Sequence, residues 1–443
     1  MMRFDPHDLE YWDKKELDQE FERVVNICNG CRLCDNLCPP FNDLFDCIEA
    51  EDDKLTASGH AHENPVSNLK KEDYKHTVDT CYQCKLCYPK CPYTPPHEYQ
   101  LDFPRLLLRA QAIDVKENGK SFKEKLRDEF IGNADRTGAI AEKMTGVMNW
   151  ADQNPTMRTL MEMSIGIHRD KKLPIYYEET FRSWYDNYPI AKLPDPIDKV
   201  ALFYTCLVNN NKPWIGKQFV DILEKHNIEV IAPEQECCGM PELGTGELDK
   251  VFAKVDKNVK RLLPIVNAGY KIIAMSPSCS MMLKLEYPLY ASDKEAAKKI
   301  AAVTLDPCEY LMQLKKKNIF MADFPVSVAE KITYHLSCHL KVQNIGFQSR
   351  DLLKLIPGVE VNTIQQCSGH DGSWSTKKEY YEISLDVGKK LFKGIERDKP
   401  TIVASDCSLA HLHIAEGTGE EALHPIEIIY KAMGLNTFNK DKQ

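Results

Sequence analysis

The apolar positions of this chain follow two different periods. In the first half they recur at helical spacing. Leu17, Phe21, Val24 and Val25 precede Cys28; Phe103, Leu106 and Leu107 follow Cys91; Phe122, Leu126 and Phe130 stand at i, i+4 and i+8. From residue 200 onward the pattern changes to short β-branched runs: VALFY, IEVIA and KIIAM, then ITYHL, VEVNT and TIVAS. Each run is followed by a helical pattern of roughly 12–20 residues. Strand–loop–helix, three times over, predicts a parallel sheet with helices on both faces. The expected fold is therefore multidomain, α + α/β: a helical domain over 1–110, a helical connecting segment over 111–198, and two Rossmann-like α/β units over 199–325 and 326–443.

Cysteine gives the helical half its chemistry. Cys28-x2-Cys31-x2-Cys34-x3-Cys38-Pro39 is followed by Cys81-x2-Cys84-x2-Cys87-x3-Cys91-Pro92. This is the bacterial ferredoxin spacing, twice, in which the fourth cysteine serves the other cluster. The expectation is two [4Fe–4S] clusters, one on Cys28, Cys31, Cys34 and Cys91, the other on Cys81, Cys84, Cys87 and Cys38. Paired zinc sites are the alternative, but a four-cysteine run ending in proline is rarely zinc. The gap between the motifs, residues 39–80, is long for a two-cluster ferredoxin and carries the polar stretch EAEDDKLTASGHAHENP. Cys47 fits neither motif and reads as a packed cysteine.

The second half is an internal repeat. Its landmarks are VALFYTC with Cys206, ECCG with Cys237 and Cys238, and KIIAMSPSC with Cys279; then ITYHLSC with Cys338, QQCSG with Cys367 and Ser368, and TIVASDC with Cys407. Cys206 and Cys338 lie 132 residues apart, positions 238 and 368 lie 130 apart, and Cys279 and Cys407 lie 128 apart. Every landmark follows a predicted strand, so the cysteines are expected on loops at the carboxyl ends of the strands, where open α/β folds build their sites. Two such units would turn their cysteine loops towards one crevice. Cys206, Cys237, Cys238 and Cys279 suffice for a third cluster or a metal. Cys338, Cys367 and Cys407 are one thiol short, and a zinc ion or cluster there would need His335, His339 or His370. Cys308, in LDPCEYL, follows another short strand, and a spare ligand there is the lesser alternative.

Composition narrows the classes. With 57 Lys and Arg against 66 Asp and Glu, the formal charge is −9, and no basic, aromatic-interleaved patch suggests nucleic acid. No apolar run reaches the ~20 residues of a membrane span, and MMRFDPHDLE has no signal-peptide core, so a cytoplasmic location is expected. Seventeen cysteines in such a chain point to metal or redox chemistry rather than disulfides. Five methionines, Met144, Met148, Met157, Met161 and Met163, fall within 20 residues. They are expected to form a flexible apolar face packed on a neighbour; the alternative is docking to a partner or peripherally to the inner face of the membrane. The segment leaves through the turn-rich KLPIYYEETFRSWYDNYPIAKLPDPIDK.

Two ferredoxin motifs followed by two cysteine-rich CCG units resemble the family of the C subunit of anaerobic glycerol-3-phosphate dehydrogenase. They also resemble the heterodisulfide reductase catalytic subunit and the glycolate oxidase iron–sulfur subunit. LDFPRLLLRAQA (101–112), KLPIYYEETFRSWY (172–185) and HPIEIIY (424–430) share in the likeness. The resemblance implies a flavoprotein dehydrogenase as redox partner and a quinone side; CSGHDGSW points to a rubrerythrin-like partner. In the family each unit reads Cys…Cys-Cys-Gly…Cys-x-x-Cys, and in heterodisulfide reductase such units hold non-cubane clusters that cleave a disulfide. Here Ser276, Ser368 and Ala404 stand where the pattern has cysteine.

Three functions are compatible with these residues. The first is an electron-transfer subunit that relays electrons through two [4Fe–4S] clusters to or from a CCG site. The second is a heterodisulfide- or persulfide-type reductase with Cys237 and Cys238 as catalytic residues. The third is a CCG half that is a metal-bound docking scaffold without redox role.

Overall fold

The computed structural model describes residues 4–132, 134–189 and 193–438; positions 190–192 of the turn-rich stretch and the first three residues of the N-terminal reading lie outside the described residues. The chain packs as two compact units, Met1–Ser121 with Glu242–Leu248, and Phe122–Pro241 with Asp249–Gln443.

The first unit is helical, and two of its long helices open on an aspartate cap. Asp13 accepts from the Glu16 amide at 3.1 Å and opens Lys14–Cys31. Cys38 is the N-cap of Pro39–Ala57, so the proline after the fourth motif cysteine takes the first helical position, where its missing N–H costs nothing. Asp102 caps Phe103–Asn118 by accepting from Arg105 N at 3.1 Å. The long gap between the motifs is thereby filled by Pro39–Ala57 and Lys71–Asp79. The expected apolar faces meet in one core: Leu17, Phe21, Val24, Val25, Leu106 and Leu107 are buried with Phe41, Leu44 and Phe45. Phe41 stacks on Phe103 and Phe21 on Tyr74, with ring centroids 4.5 and 4.0 Å apart. Arg109, buried, donates to the carbonyls of Tyr11 and Glu10 at 2.6 Å each and pins the N-terminal segment to this core.

The second unit contains the duplicated α/β half. Its strands are β1 (Asp198–Phe203), β2 (Ile228–Ile231), β3 (Lys271–Ala274) and β4 (Thr304–Leu305), then β5 (Lys331–His335), β6 (Glu360–Ile364), β7 (Ile402–Ser405) and β8 (Ala422–Leu423). The two sheets have the same order, β2-β1-β3-β4 and β6-β5-β7-β8, and every pair is parallel. The central strands are buried on both faces: Val200–Phe203 is apolar and buried throughout, and Ile332–His335 is buried throughout although it carries Thr333 and His335. β4 and β8 each lead into a matching helix start, Asp306-Pro307-Cys308-Glu309 and His424-Pro425-Ile426-Glu427, both closed by a capping box. This fourth landmark of the repeat was legible as LDPCE and LHPIE. The repeats share one core, in which Phe219 and Ile222 of the first lie with Tyr334 and Ile429 of the second and Phe181 of the connecting segment.

The connecting segment is helical, as expected, and its apolar positions pack only in part: Phe130, Met148, Met157 and Met161 are half-buried. Phe122 and Leu126 are 83% and 47% exposed, and Met144 and Met163 are 50% and 72% exposed. Helix Phe122–Gly132 instead buries Arg127 and Asp128, and Arg127 Nη1 donates to Glu379 Oε1 at 2.8 Å. A charged anchor has replaced the apolar one. The exit of the segment is held by a second buried charge: Lys171 Nζ lies 2.7 Å from Glu416 Oε2 and 2.8 Å from His413 Nδ1. Burial raises the Glu416 carboxyl, but the His413 hydrogen bond and the Lys171 ammonium outweigh it and hold the group below the usual glutamate range.

Lys171→Ala leaves the Glu416 carboxylate with His413 and the Lys172 amide but without its cation, and should cost about 1–3 kcal/mol in urea unfolding, with part recovered by the added Glu416→Gln change. Because the folded Glu416 value is depressed, its contribution is full above the ordinary glutamate value near ~4.3 and is lost as pH falls through the folded value. Urea midpoints measured across that acid range should therefore fall less steeply in Lys171→Ala/Glu416→Gln than in the wild type.

Candidate iron–sulfur and CCG sites

The two ferredoxin motifs wrap in the same way. After Cys31 and after Cys84 the chain turns through a left-handed residue, Arg32 at φ 53° and Lys85 at φ 58°. Neither is glycine, and this conformation costs about 1–2 kcal/mol for an L-residue. Asn36 and Gln83 repeat it at 58° and 50°. The turns gather the thiols. Cys28, Cys31, Cys34 and Cys91 line one cavity of about 30 Å³ together with Ile27, Phe41 and Tyr93. Burial, then repulsion from Cys34, Cys91 and Cys31, pushes the Cys28 thiol up to about 12. Burial carries Cys34 to about 11. Cys87 is raised well above the usual thiol by burial, then by Cys38 and Cys81, and it also feels Cys34 of the first set. Cys84 stands half-buried in the same loop. Crowded thiols of this kind cannot ionise together unless a cation joins them, and an iron–sulfur group is such a cation. The donor sets fit two clusters. Gln83 Nε2 also points at Cys81 Sγ, 3.4 Å away, and donates to Pro104 O at 3.0 Å. Cys47 lies apart, donating to Asp73 O at 2.9 Å.

In the first α/β unit the thiols come from the three segments beyond β1, β2 and β3: Cys237 and Cys238 lie on a loop, as expected, but Cys206 and Cys279 lie in the short helices Thr205–Asn210 and Pro277–Met281. Cys206 follows Thr205, a β-branched residue held at φ 65°, which is backbone strain of the kind found at functional sites. Cys237 hydrogen-bonds with Cys206 and Cys238, and Cys238 with Cys279, so the four sulfurs form one chain. The hydrogen bonds from Cys206 and Cys238 hold Cys237 well below the usual thiol against its burial. Cys238 is pushed the opposite way by its bonds to Cys237 and Cys279 and by burial. Gly239, at φ 89°, turns its N–H back to Cys237. Asn258 and Tyr287 brace the loop from beneath: Asn258 Nδ2 donates to Tyr287 Oη at 2.9 Å and to Cys237 O at 3.3 Å, and Tyr287 Oη donates to Cys238 O at 3.3 Å. Nothing in the sequence marks either residue, since each reads as an ordinary helix position.

In the second unit Cys338, Cys367 and Cys407 are also brought together. Burial, then repulsion from the other two, raises Cys338 well above the usual thiol. Gly369 N donates to Cys367 Sγ at 3.3 Å, matching Gly239 and Cys237. The three histidines behave differently from one another. His335 is engaged at both nitrogens, with Ser405 Oγ at 3.0 Å and Gln366 O at 3.1 Å, and burial lowers it to about 4. His339 Nδ1 faces Ser278 Oγ at 2.9 Å. His370 lines a cavity of about 150 Å³ together with Cys206, Cys237, Cys238 and Cys279. The crevice expected to receive both cysteine sets therefore receives the first unit's thiols and the second unit's CSGHDGSW loop, while Cys338, Cys367 and Cys407 do not line it. The reason is local: left-handed Gly369 and Gly372, at φ 77° and 98°, carry the chain past the thiols and turn His370 into the cavity. Cys308 is no spare ligand to either set. It lies with Asp306 and Asp406, all three buried, and both Asp406 oxygens accept hydroxyls, from Tyr334 and Ser349 at 2.6 Å each.

Comparison with known proteins agrees with this organisation. A Citrate utilization protein B Fer4-like domain matches residues 21–117, and a cysteine-rich domain, CCG, matches twice, at 200–284 and 332–415. The chain is 27% identical to the C subunit of anaerobic glycerol-3-phosphate dehydrogenase of Escherichia coli (strain K12), over 81% of its own length and 99% of that protein. It is 26% identical to the B subunit of the fumarate reductase (CoM/CoB) of Methanothermobacter marburgensis, over 88% of its length and 79% of the relative. It is 30% identical to lactate utilization protein A of Geobacillus kaustophilus, over 54% of its length and 100% of the relative. The chain belongs to the family of CCG-domain iron–sulfur proteins that includes the C subunit of anaerobic glycerol-3-phosphate dehydrogenase. It is an iron–sulfur protein of electron transport and oxidoreductase chemistry. Among the described residues no helix is long and apolar enough to cross a membrane.

Gln83→Leu should make the potential of the cluster on Cys81 more negative, because an N–H directed at sulfur stabilises the reduced state; an EPR-monitored redox titration reads it. The two loop glycines should differ. A Cβ on Gly369 would sit 2.0 Å from Ser384 O, whereas the nearest atom to one on Gly239 is 3.8 Å away. Gly239→Ala should cost only the left-handed penalty of about 1–2 kcal/mol. Gly369→Ala should cost clearly more by chemical denaturation.

Proposed function

We propose that this chain is an iron–sulfur electron-transfer subunit of a dehydrogenase or reductase complex, passing electrons through two [4Fe–4S] clusters to or from a centre in the CCG half. The observation that carries the reading is the adjacency of the two thiol sets in the first unit: Cys34 of one bears on Cys87 of the other. Two clusters held side by side form a one-electron relay. The clusters supply the redox change, and this chain's residues bury them, hold their thiolates and tune them through groups such as Gln83. Cys28, Cys31, Cys34 and Cys91 hold one cluster; Cys38, Cys81, Cys84 and Cys87 hold the other. Cys206, Cys237, Cys238 and Cys279 hold the third centre, and Cys338, Cys367 and Cys407 are candidates for a further metal. The relatives named as subunits of a dehydrogenase and a fumarate reductase support a redox protein partner, a flavoprotein in the first instance. The exposed Phe122, Leu126, Met144 and Met163 offer that partner, or a membrane surface leading to quinone, an apolar face.

A second reading has its own observation. Cys237 and Cys238 are vicinal, oppositely shifted and open to a cavity of about 150 Å³. They are the place for a disulfide or persulfide to be reduced: two electrons from the relay and two protons break the S–S bond and yield two thiols from a disulfide, or one thiol and hydrogen sulfide from a persulfide.

Anaerobic EPR of the dithionite-reduced chain should show two cubane signals, one lost in Cys28→Ser and the other in Cys87→Ser. Cys237→Ser and Cys238→Ser should remove a further centre and leave both cubane signals intact. Zinc without sulfide in the CCG half would replace the redox reading of that half with a scaffold.

A further inference from the structure

Helix Thr145–Gln153 carries Asp152 in its last turn, where the carbonyl end of a helix disfavours a negative charge. The side chain is half-buried and lines the cavity that also holds Cys206, Cys237, Cys238 and Cys279. One turn earlier, Asn149 locks the helix to the exit of the connecting segment. Its Nδ2 donates to Tyr176 O at 2.8 Å, and its Oδ1 accepts from Tyr176 N at 2.9 Å. These two bonds fix the face on which Asp152 stands.

The groups around Asp152 leave its charge uncompensated. Burial raises its carboxyl to about 6, against the opposing pull of Arg158. That guanidinium is committed elsewhere, donating to the carbonyls of Arg169, His168 and Lys171 at 3.1, 2.8 and 2.6 Å. Among the described residues no hydrogen bond is made to the Asp152 carboxylate. Burial, then Asp152 and Cys206, pushes the Tyr176 hydroxyl up to about 12, so it stays neutral. Lys172 spends its ammonium on Ala415 O at 3.0 Å, and burial keeps His370 neutral. Asp371, on the same cavity, is also raised to about 6 by burial, but its Oδ1 accepts the amides of Ser373, Trp374 and Ser375 at 3.1, 2.6 and 3.3 Å. Those donors favour its charged form, and Asp152 has none like them. An electron added to the thiolate-held centre puts one more negative charge against this wall. A carboxyl that ionises near neutral pH answers it by taking up a proton.

We propose that Asp152 is the proton acceptor of the Cys206–Cys237–Cys238–Cys279 centre, so that reduction of the centre is accompanied by protonation of this carboxylate. This rests on the reading of that centre as a redox site. One electron enters the centre, one proton passes from water to a carboxylate oxygen, and reoxidation returns both. No bond between heavy atoms is made or broken. Being half-buried, Asp152 exchanges its proton with solvent directly. The pocket of Cys28, Cys31, Cys34 and Cys91 has no carboxylate among its lining residues, which makes that cluster the internal control.

The test is an EPR-monitored potentiometric titration of the full-length, iron-loaded chain at a series of pH values on both sides of the Asp152 value. Below about 6 the carboxyl is protonated in both redox states and the midpoint of the CCG centre should be flat. Above it the midpoint should fall as pH rises, until the carboxyl is ionised in both states. A tenfold difference in proton affinity between the two states makes that fall about 59 mV in all. Asp152→Asn should flatten the profile, Asp152→Glu should keep it, and the cluster on Cys28 should be indifferent to pH in every variant. A reduced-minus-oxidised infrared spectrum should show a protonated-carboxyl band that Asp152→Asn lacks. An unchanged profile in Asp152→Asn overturns the proposal and gives the proton to another group, Asp371 first. A wild-type CCG midpoint indifferent to pH overturns it while leaving the relay standing. A CCG half that accepts no electron overturns both.

Discussion

The burial of cysteines gathered side by side is the constraint on which this molecule depends. A single buried cysteine stays a neutral thiol and packs as a small apolar side chain, as Cys308 does. Three or four brought together under burial, which raises Cys28, Cys87 and Cys338 before their neighbours add to it, form a site that a positively charged centre satisfies. Most of the secondary structure can be understood as the means of holding such groups together. In the first unit, short helices with aspartate, cysteine and proline at their starts aim the motif loops, and left-handed turns at Arg32 and Lys85 close the loops over the thiols. In the α/β half, parallel strands deliver a cysteine loop from each carboxyl end, and a strained Thr205 and a left-handed Gly239 finish the positioning.

The duplication then diverged in chemistry while keeping its architecture. Both repeats retain the strand order, the glycine that turns an N–H onto sulfur, and the capping box after the fourth strand. Only one retains a vicinal pair. The other has exchanged a thiol for Ser368 and extends its loop through His370 to the wall of the first repeat's cavity. A pair of equivalent cysteine sets has become a set of four thiols and a set of three whose loop lines the cavity of the first. The shared core of the two repeats makes this division workable, because neither sheet packs without the other.

The rest of the second unit is held by buried charge as much as by apolar packing. Lys171 with Glu416 and Arg127 with Glu379 tie the connecting helices to the last repeat. With these anchors in place, Phe122, Leu126, Met144 and Met163 stand exposed on the connecting helices.

The cysteine spacing, the change from helical to strand periodicity and the repeat were all written in the sequence, because each is a local or periodic property. Eight of the strongest site candidates, the strand loops that carry the other seven, and the helical character of the first 110 residues could be read directly. Even the fourth landmark, LDPCE against LHPIE, was present to be aligned. What only the folded chain decided was direction. Whether Phe122 faces inward depends on Arg127 finding Glu379, 252 residues away. Whether His370 serves its own repeat or the other depends on the left-handed turns at Gly369 and Gly372. Asn258 and Tyr287 brace Cys237 and Cys238 only because a helix and a loop far apart in sequence cross beneath them. Such pairings are long-range and satisfy hydrogen bonds and charge one at a time, so they leave no period for a sequence to display.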